Sequence, residues 1–261
     1  MRFLDLSITI DNDVVGDPPL ARPKIEYVDH TQTFDRIRSF FPDLVPSDLP
    51  DSQAWAIENV ALTTHNGTHL DAPYHFHPTM NHALRPGGEP ASTIDEIPLD
   101  WCFRPGVKLD FRHFEDGYVA TVEDVRNELA RINWKLSPLD IVLINTRAGE
   151  RYGHGDYVEA GCGIGREATL MLLEAGVKIT GTDAWSWDAP FGHTAEKVRQ
   201  TGNKALIWEG HKAGREYQYC HLEKLHRLEQ LPPSGFTVAC FPVSIRRASA
   251  GWTRAVAIFD D

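Results

Sequence analysis

His65-Asn66-Gly67-Thr68-His69-Leu70-Asp71-Ala72-Pro73-Tyr74-His75 places three histidines and one carboxylate within eleven consecutive residues. The polar positions 65, 69, 71 and 75, with Gly67 and Pro73 between them, share one parity, so an extended chain points them all to one face. A helix cannot do this, because Gly67 weakens it, Pro73 ends it, and positions six apart lie on different sides. Fully extended, His65 and Asp71 would stand roughly 20 Å apart at about 3.3 Å per residue, too far to share one ion. The chain must therefore fold back between them. Asn66-Gly67, a dipeptide that supplies φ > 0 at both central positions of a tight turn, is the expected place. His69 and Asp71, two apart on one face, need no further bend.

Working outward, residues 55–64 alternate (Ile57, Asn59, Ala61 and Thr63 against Ala56, Glu58, Val60 and Leu62), which predicts a strand feeding directly into the motif. A short half-buried strand is expected over residues 3–10. Residues 11–54, rich in Pro and Asp, read as a long loop with short helical pieces, of the kind that covers a site. Downstream, Thr121 with Glu123 and Asp124 marks a helix start, and Val122, Val125, Leu129 and Ile132 follow at helical spacing. The apolar run 140–145 reads as a buried strand, 166–175 as a helix ending at Gly176, and 177–182 as another strand. With a strand at 106–111, this alternation gives an α/β fold with helices packed on a sheet. A helix is predicted over 219–228 from Leu222, Leu225 and Leu228, and two closing strands over 236–241 and 254–259. No repeat or linker interrupts the chain, so residues 1–261 are expected to form a single domain.

The composition narrows the function. A formal net charge of −11 disfavours nucleic acid and anionic membranes as partners, and leaves a small molecule as the expected one. No stretch approaches the roughly 18 apolar residues of a membrane span, and the start lacks the pattern of a signal peptide, so a cytoplasmic protein is expected. The four cysteines, Cys102, Cys162, Cys220 and Cys240, form no CxxC and are expected as reduced thiols.

Imidazole and carboxylate together suit borderline divalent ions such as zinc, manganese or iron, whereas an all-oxygen set would suit calcium or magnesium. Two histidines and one aspartate make a three-ligand site with open positions, as a catalytic metal requires. Two histidines and a carboxylate also describe the facial triad of non-haem iron oxygenases, but that class needs a jelly-roll of many strands, against which the predicted helices argue. Further ligands are ambiguous: His211 and Glu223 form a dispersed pair, and by residue type His221 or His226 serve equally well. No GxSxG elbow occurs, and Gly161-x-Gly163-x-Gly165 reads as a turn before a helix rather than a nucleotide loop. Trp55, Trp185, Trp187 and Phe191 offer aromatic surface on which a planar ring could stack.

The pattern His65-x-Gly67-Thr68-His69-x-Asp71-x-Pro73-x-His75 resembles the HxGTHxDxPxH signature of the cyclase family of metal-dependent hydrolases, which includes bacterial kynurenine formamidases and isatin hydrolases. The resemblance extends to Leu4-Asp5-Leu6-Ser7, to Gly181-Thr182-Asp183-Ala184, to Leu222-Glu223-Lys224-Leu225 beside the LENL element of formamidases, and to Phe241-Pro242-Val243. Lys224 departs from the formamidase Asn, and there and in its Trp-rich segments the chain looks more like the isatin hydrolases. The resemblance implies a swivelling β/β/α fold, with His65, His69 and Asp71 as ligands of a divalent metal, Mn2+ or Zn2+. His75 would be the acid/base residue, and His211 and Glu223 would complete a second metal position. It further implies hydrolysis of a small aromatic lactam or amide, isatin first and N-formylkynurenine second, by a homo-oligomer, a dimer or a tetramer.

Overall fold

The computed structural model describes residues 1–260. Nine strands form its central sheet: β1 (Arg2–Asp5), β2 (His69–Asp71), β3 (Phe103–Asp110), β4 (Ile141–Asn145), β5 (Ile179–Thr182), β6 (Cys220–Glu223), β7 (Phe236–Ala239), β8 (Ala250–Trp252) and β9 (Val256–Phe259). Their spatial order is β1-β9-β7-β3-β4-β5-β6-β2-β8. The middle strands β3, β4, β5 and β6 run parallel, and antiparallel strands flank them on both sides.

Every residue of β4 is buried, as an unbroken apolar run in the middle of a parallel sheet requires. Its side chains divide by parity. Ile141 and Leu143 enter a core shared with Leu6, Leu70, Leu222, Phe236 and Val238, while Val142 and Ile144 enter a second core on the opposite face. That second core is roofed by helices α1 (Val122–Arg131) and α2 (Arg166–Glu174) through Val125, Ala168 and Leu172. Thr121 caps α1 as expected, its Oγ1 accepting from the Asp124 backbone N–H while the Asp124 carboxylate accepts from the Thr121 N–H. Gly176, at φ +93°, follows the end of α2. A third helix, α3 (Phe191–Thr201), buries none of its residues. The α/β class and the strands and helices of the middle region thus agree with the sequence reading.

Four local expectations are corrected. Residues 219–228 do not form a helix: β6 occupies 220–223, and the chain then turns through left-handed conformations at Lys224 (φ +57°) and Arg227 (φ +59°). Leu222, Leu225 and Leu228 all still reach the first core, so their spacing of three reflects a strand followed by turns. Of the predicted strand 3–10 only Phe3–Asp5 forms one, within Arg2–Asp5; Leu6 still bonds the Ala255 carbonyl, Ser7 bridges Leu225, and the chain then leaves the sheet. Residues Ile57–Ala61 are extended but do not run directly into β2: they pair with Lys24–Val28 in a separate two-stranded hairpin, so the segment 11–54, expected as loop with short helical pieces, also contains a strand. Among the described residues no helix is long and apolar enough to cross a membrane.

Candidate metal centre and adjoining cavity

Strand β2 is the centre of the site, and its alternation separates scaffold from chemistry. Leu70 points into the first core, so His69 and Asp71 point to the other face. On the neighbouring β6, Leu222 points into the same core, so His221 and Glu223 join them. The antiparallel register sets His221 opposite Asp71 and Glu223 opposite His69. Four polar side chains, each below a tenth exposed, therefore form a square on two adjacent strands.

The turn before β2 brings in His65, by a route other than the one expected. The turn spans Thr63 to Asn66, closed by the Asn66 N–H to the Thr63 carbonyl at 3.1 Å, and the Asn66 Oδ1 accepts from the Thr63 N–H at 2.7 Å. Only Gly67 takes positive φ, +62°, and a Cβ there would lie 2.8 Å from Ile10 Cγ1. His65 Nδ1 thereby reaches 2.9 Å from Asp71 Oδ1, while its Nε2 is hydrogen-bonded to Ser249 Oγ at 3.0 Å.

The hydrogen bonds orient the imidazoles for ligation. His69 Nδ1–H donates to the Gly67 carbonyl at 2.9 Å, which turns the Nε2 lone pair towards Asp71 Oδ1, 3.3 Å away. His211 Nδ1–H donates to the Asp188 carboxylate, which also accepts from the His211 and Gly210 backbone N–H groups. Its Nε2 is thus left for Glu223 Oε1 at 3.7 Å. Carboxylate or carbonyl behind a histidine is the usual support of a metal-ligating imidazole. Buried His69 Nε2 and Asp71 Oδ1 have no hydrogen-bond partner. A buried carboxylate oxygen with two imidazole nitrogens within 3.3 Å of it is a donor set that a cation would hold together, so these residues fit a divalent metal.

The electrostatics agree. Burial pushes the Asp71 carboxyl up, but His69, His221 and His65 outweigh it and hold the group well below the usual carboxylate range. For His221 burial works against protonation, yet hydrogen bonds to Asp71 and Glu223 lift it to about 9. Without a metal, the cluster draws a positive charge into itself as a proton.

His75 sits on the single turn Pro73–Phe76 that follows β2, with Nε2 3.7 Å from Asp71 Oδ2. Its ring lies 4.2 Å from that of His65 and 5.3 Å from that of Trp208. Burial is the main reason its pKa falls to about 4; the Asp71 charge opposes the fall, and His65 and His211 add to it.

Beside the cluster opens a cavity of about 720 Å³, walled by Trp185, Phe191, Val198, Ile207 and Trp208, with His65, His75, His211 and Glu223 along one side. Trp208 holds a left-handed backbone (φ +59°) and stacks on His211 at 4.4 Å. A basin of about 860 Å³ lies elsewhere, but its arginines are already paired: Arg112 with Asp110, Arg131 with Glu128, Arg147 with Glu115 and Arg151 with Asp156.

Of the residues singled out from sequence, His65, His69, Asp71, His75, His211 and Glu223 are brought together. Trp185 and Phe191 line the cavity, edge to face at 5.5 Å. Trp187 does not line it: the ring is buried against α2, with Nε1–H on Thr169 Oγ1 at 3.0 Å. Trp55 is also outside it, packed on Phe40 near the hairpin. His226 is remote from the cluster, beside Tyr152. Sequence reasoning did not choose His221, although its spacing of two from Glu223 repeats that of His69 and Asp71. Asp188 and Trp208 carried no sequence signal.

A buried imidazole–carboxylate cluster on adjacent strands, opening onto an apolar cavity with one more imidazole at the junction, defines a candidate divalent-metal centre for a small molecule. Over residues 4–189 the chain matches the model of the Cyclase family, and it belongs to that family. No functionally curated protein sequence matches it. Its fold is that of solved structures with low sequence identity. Isatin hydrolase A from Labrenzia aggregata, bound to benzyl benzoate, is 22% identical with a TM-score of 0.72, over 100% of this chain and 94% of that one. Isatin hydrolase A from Ralstonia solanacearum is 23% identical with a TM-score of 0.73, over 99% and 92%. An isatin hydrolase bound to the product analogue thioisatinate is 18% identical with a TM-score of 0.72, over 98% and 91%.

Proposed function

We propose that this chain is a metal-dependent hydrolase that opens a cyclic amide, with isatin as the first candidate substrate and isatinate as the product. The observation that carries the reading is His75: a neutral, partly buried imidazole 3.7 Å from Asp71, between the metal cluster and an aromatic-walled cavity. His65, His69 and Asp71 would hold one divalent ion, Mn2+ or Zn2+, and Asp71, His211 and Glu223 a second. When bound, such an ion lowers the pKa of water towards neutrality and polarises a carbonyl oxygen, so no protein nucleophile is needed.

The remaining steps belong to the chain's own side chains. Trp185, Phe191 and Trp208 stack and desolvate the aromatic ring. His75 Nε2, neutral near pH 7, accepts a proton from the attacking water and returns it to the leaving nitrogen as the carbon–nitrogen bond breaks. Asp71, fixed by β2, holds the resulting imidazolium. The isatin hydrolases of the same fold support the lactam as substrate class.

The test is to offer metal-loaded protein isatin and N-formylkynurenine side by side and to follow their absorbance. Opening of isatin supports the proposal; hydrolysis of N-formylkynurenine alone replaces it with an arylformamidase. Hydrolysis of neither, with other lactams or lactones cleaved, overturns the substrate and keeps the hydrolase. The same reading includes a homo-oligomer, supported by exposed apolar side chains on and beside the hairpin, among them Tyr27, Phe40, Phe41 and Val60. Light scattering on the purified chain tests it. Cytoplasmic residence belongs to this reading too, supported by four buried cysteines without disulfides.

A further inference from the structure

We propose that His221 is a fourth protein ligand at the second metal position, so that Asp71, His211, His221 and Glu223 close that position while His65, His69 and Asp71 leave the first one open. The inference rests on the reading of the cluster as a two-position metal centre, and it assigns the two positions different tasks.

Tyr219 lies two residues before His221, on the same face. Its hydroxyl lies 3.4 Å from the Gly210 carbonyl and 3.3 Å from His221 Nδ1. A phenol has one proton. Given to the carbonyl, which can only accept, it leaves the hydroxyl oxygen to accept from His221 Nδ1–H. The lone pair of His221 is then on Nε2, 3.0 Å from Asp71 Oδ2 and 3.2 Å from Glu223 Oε1. His211 presents a second lone pair to the same place, because Asp188 holds its Nδ1–H. All four ligand atoms lie within 4.8 Å of one another, on residues that are all buried.

Four electron-pair donors facing one another in a dry site repel unless a cation lies among them. A proton on His221 Nε2 answers the two carboxylates and leaves His211 Nε2 facing Glu223 uncompensated. A divalent ion answers all four. The observed separations of 3.0 to 3.7 Å bracket the edge of a tetrahedron with metal–ligand bonds of about 2.1 Å, roughly 3.4 Å. The His221 ring is also held in plane, with Phe76 at 4.9 Å and Trp187 stacked at 5.9 Å. This gives buried Trp187 a task in the centre that does not involve substrate.

Four protein ligands leave no open coordination position, which is the mark of a structural site, whereas three leave one for water or substrate. Loading should therefore be ordered. The first equivalent of metal fills the closed position without producing turnover, and the second fills the open position.

The test titrates metal-free protein with Co2+, following its visible absorption, with chelator competition to give affinities. Wild type is expected to bind two equivalents, the tighter one first and with the intense bands of four-coordinate cobalt. His221→Ala and His221→Asn should weaken the first step by at least about 100-fold and leave the other within a few-fold. Circular dichroism of the metal-free variants establishes that they are folded. Folded variants that load both equivalents with wild-type affinity and spectrum overturn the proposal alone. If neither variant folds, the wild-type spectrum decides: weak bands of higher coordination in the first equivalent overturn it. A single equivalent in wild type, unchanged by Glu223→Gln, overturns the two-position reading together with the proposal.

Discussion

Leu70 stands directly opposite Leu222 across β2 and β6, and both side chains are fully buried. That apolar pair sets the register that places His69 against Glu223 and Asp71 against His221 on the other face. A slip of β2 by one residue would send His69 and Asp71 into the core and Leu70 into the centre. Leu222→Ala should cost about 2–5 kcal/mol of stability, read from denaturant midpoints, with a parallel loss of metal affinity. A loss below about 1 kcal/mol would show that the register is held elsewhere.

Ligands and acid/base residue should separate cleanly. His69→Ala and Asp71→Ala are each expected to lose stoichiometric metal, measured by elemental analysis after desalting. His75→Ala should keep its metal and lose about 10²–10⁴-fold in turnover, the range of a single general acid/base. Full metal content in both ligand variants would remove the assignment of the first position.

The pH profile tests His75 directly. With its pKa at about 4, the ring is neutral and able to accept a proton at any pH above that value. A bound cation moves it lower still. The acid limb of kcat/KM, measured with metal occupancy checked at each pH, should therefore fall below about pH 5, away from the value near 6.5 of a free imidazole. A limb near 6.5 that disappears in a residual-activity profile of His75→Ala would contradict this.

Asp183 supplies a stability test outside the metal ligands. Fully buried at the end of β5, it accepts hydrogen bonds from the Thr146 N–H and Oγ1–H and from Asn145 Nδ2, but burial outweighs them and lifts it to about 7. Between the ordinary aspartate value of 3.8 and about 7 the folded state holds a proton that the unfolded chain has released. Stability contributed by this group is therefore full below about pH 4 and is lost as the pH rises through 7, by on the order of 4 kcal/mol. Denaturation at pH 5 and 7.5 should show that slope in wild type and a smaller one in Asp183→Asn.

Gly163 is expected to be intolerant of even one methyl group. A Cβ there would lie 1.8 Å from the Ala189 backbone nitrogen and 2.4 Å from the Asp188 carbonyl carbon. Asp188 is the carboxylate that orients His211. Gly163→Ala should thus lower the melting temperature and weaken one metal equivalent more than the other, as calorimetry with and without metal would reveal.

The motif and the middle of the sheet were legible because each rests on a local rule. Residues 141–144 are uniformly apolar, residues 121–124 form a cap, and positions 69 and 71 share a face. Strand β6 was not legible, since three leucines spaced by three imitate a helix and the left-handed turns at Lys224 and Arg227 occur on residues with no intrinsic preference for them. The fold-back at His65 was correctly located but differently made, with the Asn66 side chain closing the turn and Gly67 alone at positive φ. Aromatic residues were the least legible. Trp185 and Trp187 are two apart, one lining the cavity and the other packed behind the centre, while Trp208 entered through a strained backbone that no pattern announces.

His221 and Asp71 touch across a sequence separation of 150 residues. Closing so long a loop adds only modestly to the entropy lost on folding, but contacts this distant slow the search for the native state. No partly folded chain can therefore offer the complete donor set, and an ion that needs it binds the native state alone. At a free concentration 100 times its Kd such an ion adds about 2.7 kcal/mol to stability. Metal supply would then govern how much of this chain survives proteolysis, separately from how fast each surviving molecule works.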